Sequence, residues 1–237
     1  ADVLRIEAPG PQLAVADEDR AVHLRGRSAV TVDLRTAAGQ RLANELAARA
    51  DILLEGYRPG VLERLGLVPE KLHEVNPGLI IGRMTGWGQS GPMAHAAGHD
   101  INYIAVAGAL RHFARAGERP VPPVNLVGDF GGGSMFLLTG VLAALWERSR
   151  SGKGQIIDAA MVDGAAYLMM LVHSMAAQGM WNVDEPGTNL LDTGAPFYDV
   201  YTCRDGGYLA VGCLEPKFYA EFLHGLELDQ STLPQQY

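Results

Sequence analysis

The chain has 237 residues, of which 48% are hydrophobic and 19% charged, a globular rather than a disordered composition. That length suits one large domain, or one domain with part of a second. A net charge of −8 and a pI of about 5.3 leave no basic face for nucleic acid or anionic lipid, and no apolar run reads as long enough to span a bilayer.

The first residues, Ala1 to Glu7, read as a short strand without the basic start and long apolar core of a signal peptide. Val30 to Leu34 alternates and is β-branched, so a second strand is expected there. Thr36 is a suitable N-cap for a helix to Ala50, in which Leu42, Leu46 and Ala50 share a face. Ile52 to Leu54 is a buried strand, completing a βαβ unit with parallel strands. The Gly56–Gly60 turn leads to a helix carrying Leu62 and Leu65, and a short helix follows from Pro69 to Val75. Leu79 to Thr85 is the next strand.

A glycine-rich loop spans Gly86 to Gly98, and Asp100 to Leu110 reads as a helix. The run Gly128 to Gly133 reads as a second loop, with Asp129 as the N-cap of an apolar helix from Ser134 to Arg148. Gln155 to Ala159 is a strand. Met161 to Met180 is apolar nearly all round, the pattern of one long buried helix. Residues 182–196 are rich in turn formers and read as a linker. Two strands, 197–203 and 208–213, joined by Arg204-Asp-Gly-Gly207, form a hairpin before a helix from Glu215. The pattern predicts an α/β parallel-sheet domain over 1–185, a linker over 186–196 and part of a smaller α+β domain over 197–237.

Several motifs fail on inspection. Gly86-Trp-Gly-Gln-Ser-Gly91 matches a dinucleotide fingerprint literally, but Pro92 and a loop follow instead of a helix. Ser151 to Gly154 lacks the Ser/Thr of a phosphate-binding loop, and His95 and His99 lack the intervening Glu of a zinc protease. Two cysteines, Cys203 and Cys213, suffice for neither a disulfide scaffold nor a cysteine-rich zinc site.

Two stretches remain. Gly98-His-Asp-Ile-Asn-Tyr103 puts His99 at the mouth of a helix, whose first N–H groups suit a developing oxyanion. Asn125-Leu-Val-Gly-Asp129 puts a carboxylate beside three glycines. Together His99 and Asp129 suit a pair of acid/base groups; separately each reads as a helix cap. Nine arginines and no lysine precede Lys71 up to Arg64, which suits either an anion site or a solvated surface.

At these residues the sequence resembles the α-methylacyl-CoA racemases, a family of the class III CoA-transferase superfamily. The resemblance also rests on Glu55-Gly-Tyr-Arg-Pro-Gly60, Met84 to Gln89 and Asp158 to Gly164. It implies a Rossmann-like large domain and an isomerase that interconverts (R)- and (S)-2-methylacyl-CoA thioesters through an enolate. His99 and Asp129 would be the two bases. Glu215 of a partner subunit would orient His99, giving a homodimer with its site at the interface. The Asp100 N–H would receive the thioester oxygen. Arg35, Gly56, Tyr57, Arg58 and Arg64 would lie near CoA, with Gly98, Asn102, Tyr103 and Asn125 lining the same site. The resemblance implies no metal and no cofactor, CoA being part of the substrate.

Family members begin with a strand and helix ahead of this chain and continue past Tyr237, so a truncated member is expected. The alternatives are a CoA-transferase using Asp129 as nucleophile, or an inactive remnant. The expected location is a bacterial cytoplasm, or a peroxisome or mitochondrion in a eukaryote. Six methionines, Met135, Met161, Met169, Met170, Met175 and Met180, suit either an adaptable acyl surface or, for most of them, core packing.

Overall fold

A computed structural model describes residues 2–10, 22–233 and 235–236. Ala1, at the start of the first predicted strand, and Tyr237, at the end of the predicted small domain, lie outside the described residues. Strands β1 (Val3–Glu7) and β2 (Arg27–Thr31) pair in parallel, Val3 opposite Arg27. The second strand ends earlier than alternation suggested, because Asp33 to Thr36 turns into helix α1 (Ala37–Ala47). Thr36 caps that helix as expected, its hydroxyl oxygen accepting the Gly39 N–H at 3.0 Å.

The central sheet is parallel, in the order β3 (Ile52–Glu55), β4 (Ile80–Thr85), β5 (Ile156–Ala160). Ile52 faces Ile80, and Ile81 faces Ile156. Side chains alternate across a strand, so neighbouring isoleucines serve opposite faces. Ile81 packs with Ala43, Ala47, Leu62, Leu67, Leu72 and Leu79, beneath α1, α2 (Val61–Arg64) and α3 (Pro69–Val75). Ile80 packs with Leu137, Val141, Ala144 and Ala159 on the other face. Both faces are therefore covered, the usual condition of a parallel sheet.

Helix α4 (Asp100–Val106) is shorter than predicted and passes into a 3-10 turn over Ala109–His112. The largest departure lies further on. Leu126–Ser134 is not a loop but a π-helical segment, continuous with α5 (Met135–Ser151). Asp129 is thus inside a helix and not its cap. The continuous helix Leu126–Ser151 is long and apolar enough to cross a membrane, which corrects the reading that no such run exists. The glycines of 128–133, which look like a loop in sequence, lie within that helix. Its outward side carries Phe130, Leu138, Leu142 and Trp146, all exposed.

The predicted helix Met161–Met180 is broken at Met169 into α6 (Met161–Leu168) and α7 (Met170–Ala177). It is not buried all round: α7 has no buried residue, and Met135, Met170 and Met180 are exposed while Met169 is buried. Core packing therefore fails as the reading for Met135, Met170 and Met180, whereas Met169 lies in the core and Met161 and Met175 are half-buried. Helix α6 and the π segment touch backbone to backbone. A Cβ on Gly164 would lie 1.8 Å from the Gly132 oxygen, and one on Gly132 2.5 Å from the Ala165 nitrogen.

Residues 182–196 form an ordered connection. Asn189 and Asp192 are buried there, and the Asp192 carboxyl accepts N–H groups of Gly187 and Asn189. The hairpin is present as antiparallel β6 (Tyr198–Thr202) and β7 (Tyr208–Gly212). With α8 (Pro216–Gly225) it builds a small core of Ala195, Phe197, Tyr219 and Leu223.

Candidate active site

His99 is the N-cap of α4, with extended backbone (φ −132°, ψ 172°), and its side chain is exposed. The Asn102 side-chain oxygen accepts the His99 N–H at 3.0 Å, so the second residue of the predicted site fixes the entry to this helix. Tyr103 is buried, and its hydroxyl donates to the Gly98 oxygen at 2.6 Å. A Cβ on Gly86 would lie 2.2 Å from the Tyr103 ring and one on Gly98 2.6 Å from it. The first glycine of the false dinucleotide motif thus makes room for an aromatic ring. Trp87 completes the support, meeting Tyr103 edge to face at 4.8 Å.

Opposite this turn stands the start of the π segment. Val124 and Asn125 enter it with φ of +54° and +59°. Left-handed backbone at non-glycine residues costs about 1–3 kcal/mol each and persists only where surroundings impose it. The Asn125 amide donates to the Asp129 carboxylate at 2.8 Å, and Phe130 N–H reaches back five residues to the Asn125 oxygen. π-helical turns often mark functional positions.

Electrostatics tie these pieces to the arginine loop. Burial pushes the Tyr103 phenol above its usual range, and the Asp129 carboxylate adds to this. Arg58 opposes the shift and Asp100 reinforces it. Asp129, Arg58 and Asp100 therefore act on one ring. The loop carrying Gly56, Tyr57 and Arg58, all exposed, is anchored from below: the Glu55 carboxylate accepts the Tyr57 N–H at 2.7 Å.

The other predicted residues are less connected. Arg64 is exposed at the end of α2. Arg35 pairs with Asp33 at 2.8 Å and stays exposed. Glu215 is the exposed N-cap of α8, and among the described residues no hydrogen bond joins it to His99. Among the described residues no group of three or more His, Cys, Asp or Glu is placed to hold a metal. Sequence reasoning missed the Asp100 side chain, which is buried; an acidic residue at the first position of a helix signals only a favourable dipole.

A doubly covered parallel sheet, with a His and an Asp borne at the starts of two neighbouring helices, defines an α/β protein with a candidate acid–base pair. The chain belongs to CoA-transferase family III, whose model matches residues 1–237. It is 48% identical over 212 residues to the α-methylacyl-CoA racemase of Mus musculus, covering 90% of this chain and 55% of that protein. It is 43% identical over 236 residues to the α-methylacyl-CoA racemase of Homo sapiens, covering 100% of this chain and 60% of that protein. The crystal structure of a CAIB/BAIF family protein from Brucella suis superposes with a TM-score of 0.79 at 25% identity, covering 96% of this chain and 62% of that one. The chain thus spans little more than half the length of these curated relatives.

Proposed function

We propose that the chain carries the acid–base machinery of a racemase acting on 2-methylacyl-CoA thioesters. The observation that supports this reading is the placement of His99 and Asp129 at adjoining helix starts, with Arg58 within electrostatic reach of the same ring. A proton α to a thioester is only weakly acidic, so the enolate must be stabilised as it forms. One base removes the proton, and the planar enolate loses its stereochemistry. The conjugate acid of the other base returns a proton to the opposite face. The Asp100 N–H donates to the thioester oxygen. Arg58 and Arg64, with Arg35 at the rim, meet the phosphates of CoA, and Gly56 and Tyr57 leave the backbone open beside it. Glu215 acts from a second copy, orienting His99 across a homodimer interface. In this reading 1–185 is the CoA-binding domain and 197–237 contributes to the neighbouring site.

The test is α-proton exchange. One enantiomer of a 2-methylacyl-CoA is incubated in D₂O with the chain, and NMR and chiral analysis follow deuterium entry and inversion. Exchange with epimerisation is expected, reduced by a factor of about 10² to 10⁴ in His99→Ala and in Asp129→Asn. Activity surviving in both variants would overturn the assignment. So would an acyl group trapped by hydroxylamine on Asp129, which is the signature of a transferase.

A further inference from the structure

We propose that the side chain of Asp100 is the positioning group that fixes Asp129 relative to His99, a role that rests on the racemase reading for its catalytic consequence. Asp100 follows His99 directly and is 2% exposed. One carboxyl oxygen, Oδ2, accepts both the Gly128 N–H at 2.7 Å and the Asp129 N–H at 2.8 Å. The first N–H groups of any helix lack an acceptor within it, and a π helix leaves more of them than an α helix. Here a side chain from another helix supplies the missing acceptor. A single buried oxygen therefore joins the turn that carries one base to the turn that carries the other.

The surroundings are built for this contact. A Cβ on residue 128 would lie 2.6 Å from Oδ2 and 2.9 Å from the carboxyl carbon, so only glycine lets the carboxyl approach. Asn125, in its left-handed conformation, holds the Asp129 carboxylate while Asp100 holds the Asp129 backbone. The Asp100 carboxyl, unlike its backbone N–H, is kept from the reacting atoms by its burial. It acts through Asp129, and its side chain is a positioning group and not a third base.

The contact makes different demands on different substitutions. Asp100→Asn retains an oxygen that can accept both N–H groups. Asp100→Ala leaves two donors without an acceptor, the Gly128 N–H in a buried position. Gly128→Ala keeps the carboxyl but forces it away.

Two readouts are taken on the full chain and these variants, with thermal unfolding as a check on folding. The first is amide hydrogen exchange. The Gly128 and Asp129 amides should exchange at least tenfold faster in Asp100→Ala and Gly128→Ala than in the parent, while amides of α5 beyond Val141 keep their rates. Asp100→Asn should restore protection. The second is α-proton exchange. Asp100→Ala should lower kcat by at least 100-fold with KM changed less than about threefold, and Asp100→Asn should recover at least tenfold of that loss. Equal amide protection in all variants would overturn the proposal, as would Asn failing to rescue where Ala fails. If the parent shows no α-proton exchange, the racemase reading fails, and the amide rates alone decide whether Asp100 tethers Asp129.

Discussion

The Arg83 guanidinium meets the Glu55 carboxylate at 2.6 Å, both side chains buried, while its other nitrogens reach Glu63 at 2.8 and 3.3 Å. The second Glu55 oxygen accepts the Tyr57 N–H, so a charge on β4 holds the loop that presents Arg58. Removing one partner of a buried pair strands the other, at a cost of about 3–5 kcal/mol. Arg83→Met should lose stability on that scale in urea unfolding, whereas Glu63→Gln, at the more exposed end, should cost far less. Equal, small effects would show that the pair contributes little.

A second expectation concerns pH near neutrality. The Trp181 indole N–H donates to Nδ1 of His112 at 3.3 Å, with the rings edge to face at 5.5 Å. Burial pushes the His112 imidazole below its ordinary range; Asp192 opposes this, and Arg111 and His173 add to it. The folded state therefore favours the neutral ring. Above about pH 6.5 both states are neutral and nothing is lost. Below it the unfolded chain takes up the proton first, so stability should fall as pH drops towards the folded value. In His112→Asn the difference in unfolding free energy from the parent should shrink between pH 7 and 5, followed by tryptophan fluorescence. A constant difference would show that His112 does not titrate across that window.

The hairpin should come loose in acid. Asp199 is bound by Arg115 at 2.7 Å, and that hydrogen bond holds its carboxyl below the usual carboxylate range. A depressed carboxylate stabilises the fold above its unfolded value of about 3.8, and the benefit disappears as pH falls through the folded value. Tyr201, whose phenol is pushed up first by burial and then by Asp199, lies beside it. Amide exchange over β6 and β7, taken relative to the intrinsic rate at each pH, should therefore rise below pH 3.8 in the parent. In Arg115→Met it should already be raised at neutral pH and change less on acidification.

The exposed stripe of Leu138, Leu142 and Trp146 predicts self-association of the isolated chain, since contiguous apolar surface of this kind is sticky. Leu142→Lys with Trp146→Glu should reduce light scattering at a given concentration. Because both positions are more than half exposed, the melting temperature should move by less than about 2 °C, a surface-scale effect.

What was legible in the sequence followed local rules. The Thr36 cap, the isoleucine-rich central strands and the Gly-Gly hairpin each depend on neighbours in the chain, and all three are present. So is the His99 helix start, read from the residues around it. The π segment was not legible, because its glycines obey a tertiary demand. Gly128 admits the Asp100 carboxyl and Gly132 admits the α6 backbone, and in one dimension such glycines read as a loop. The break at Met169 and the exposure of α7 escaped for the same reason: composition gives apolarity but not what lies opposite.

The crossing of the π segment and α6 limits how this scaffold can diversify. With the Gly132 and Gly164 backbones in contact, neither helix can shift outward without opening a void, and neither can accept even a methyl group. The spacing of the helix that bears Asp129 is thus fixed by a backbone contact and not by side chains. Any reshaping of the candidate site therefore falls to the side chains around it, with the backbone frame held. In a saturation screen the columns for 132 and 164 would be nearly empty, although both residues are glycines with no side chain to offer chemistry.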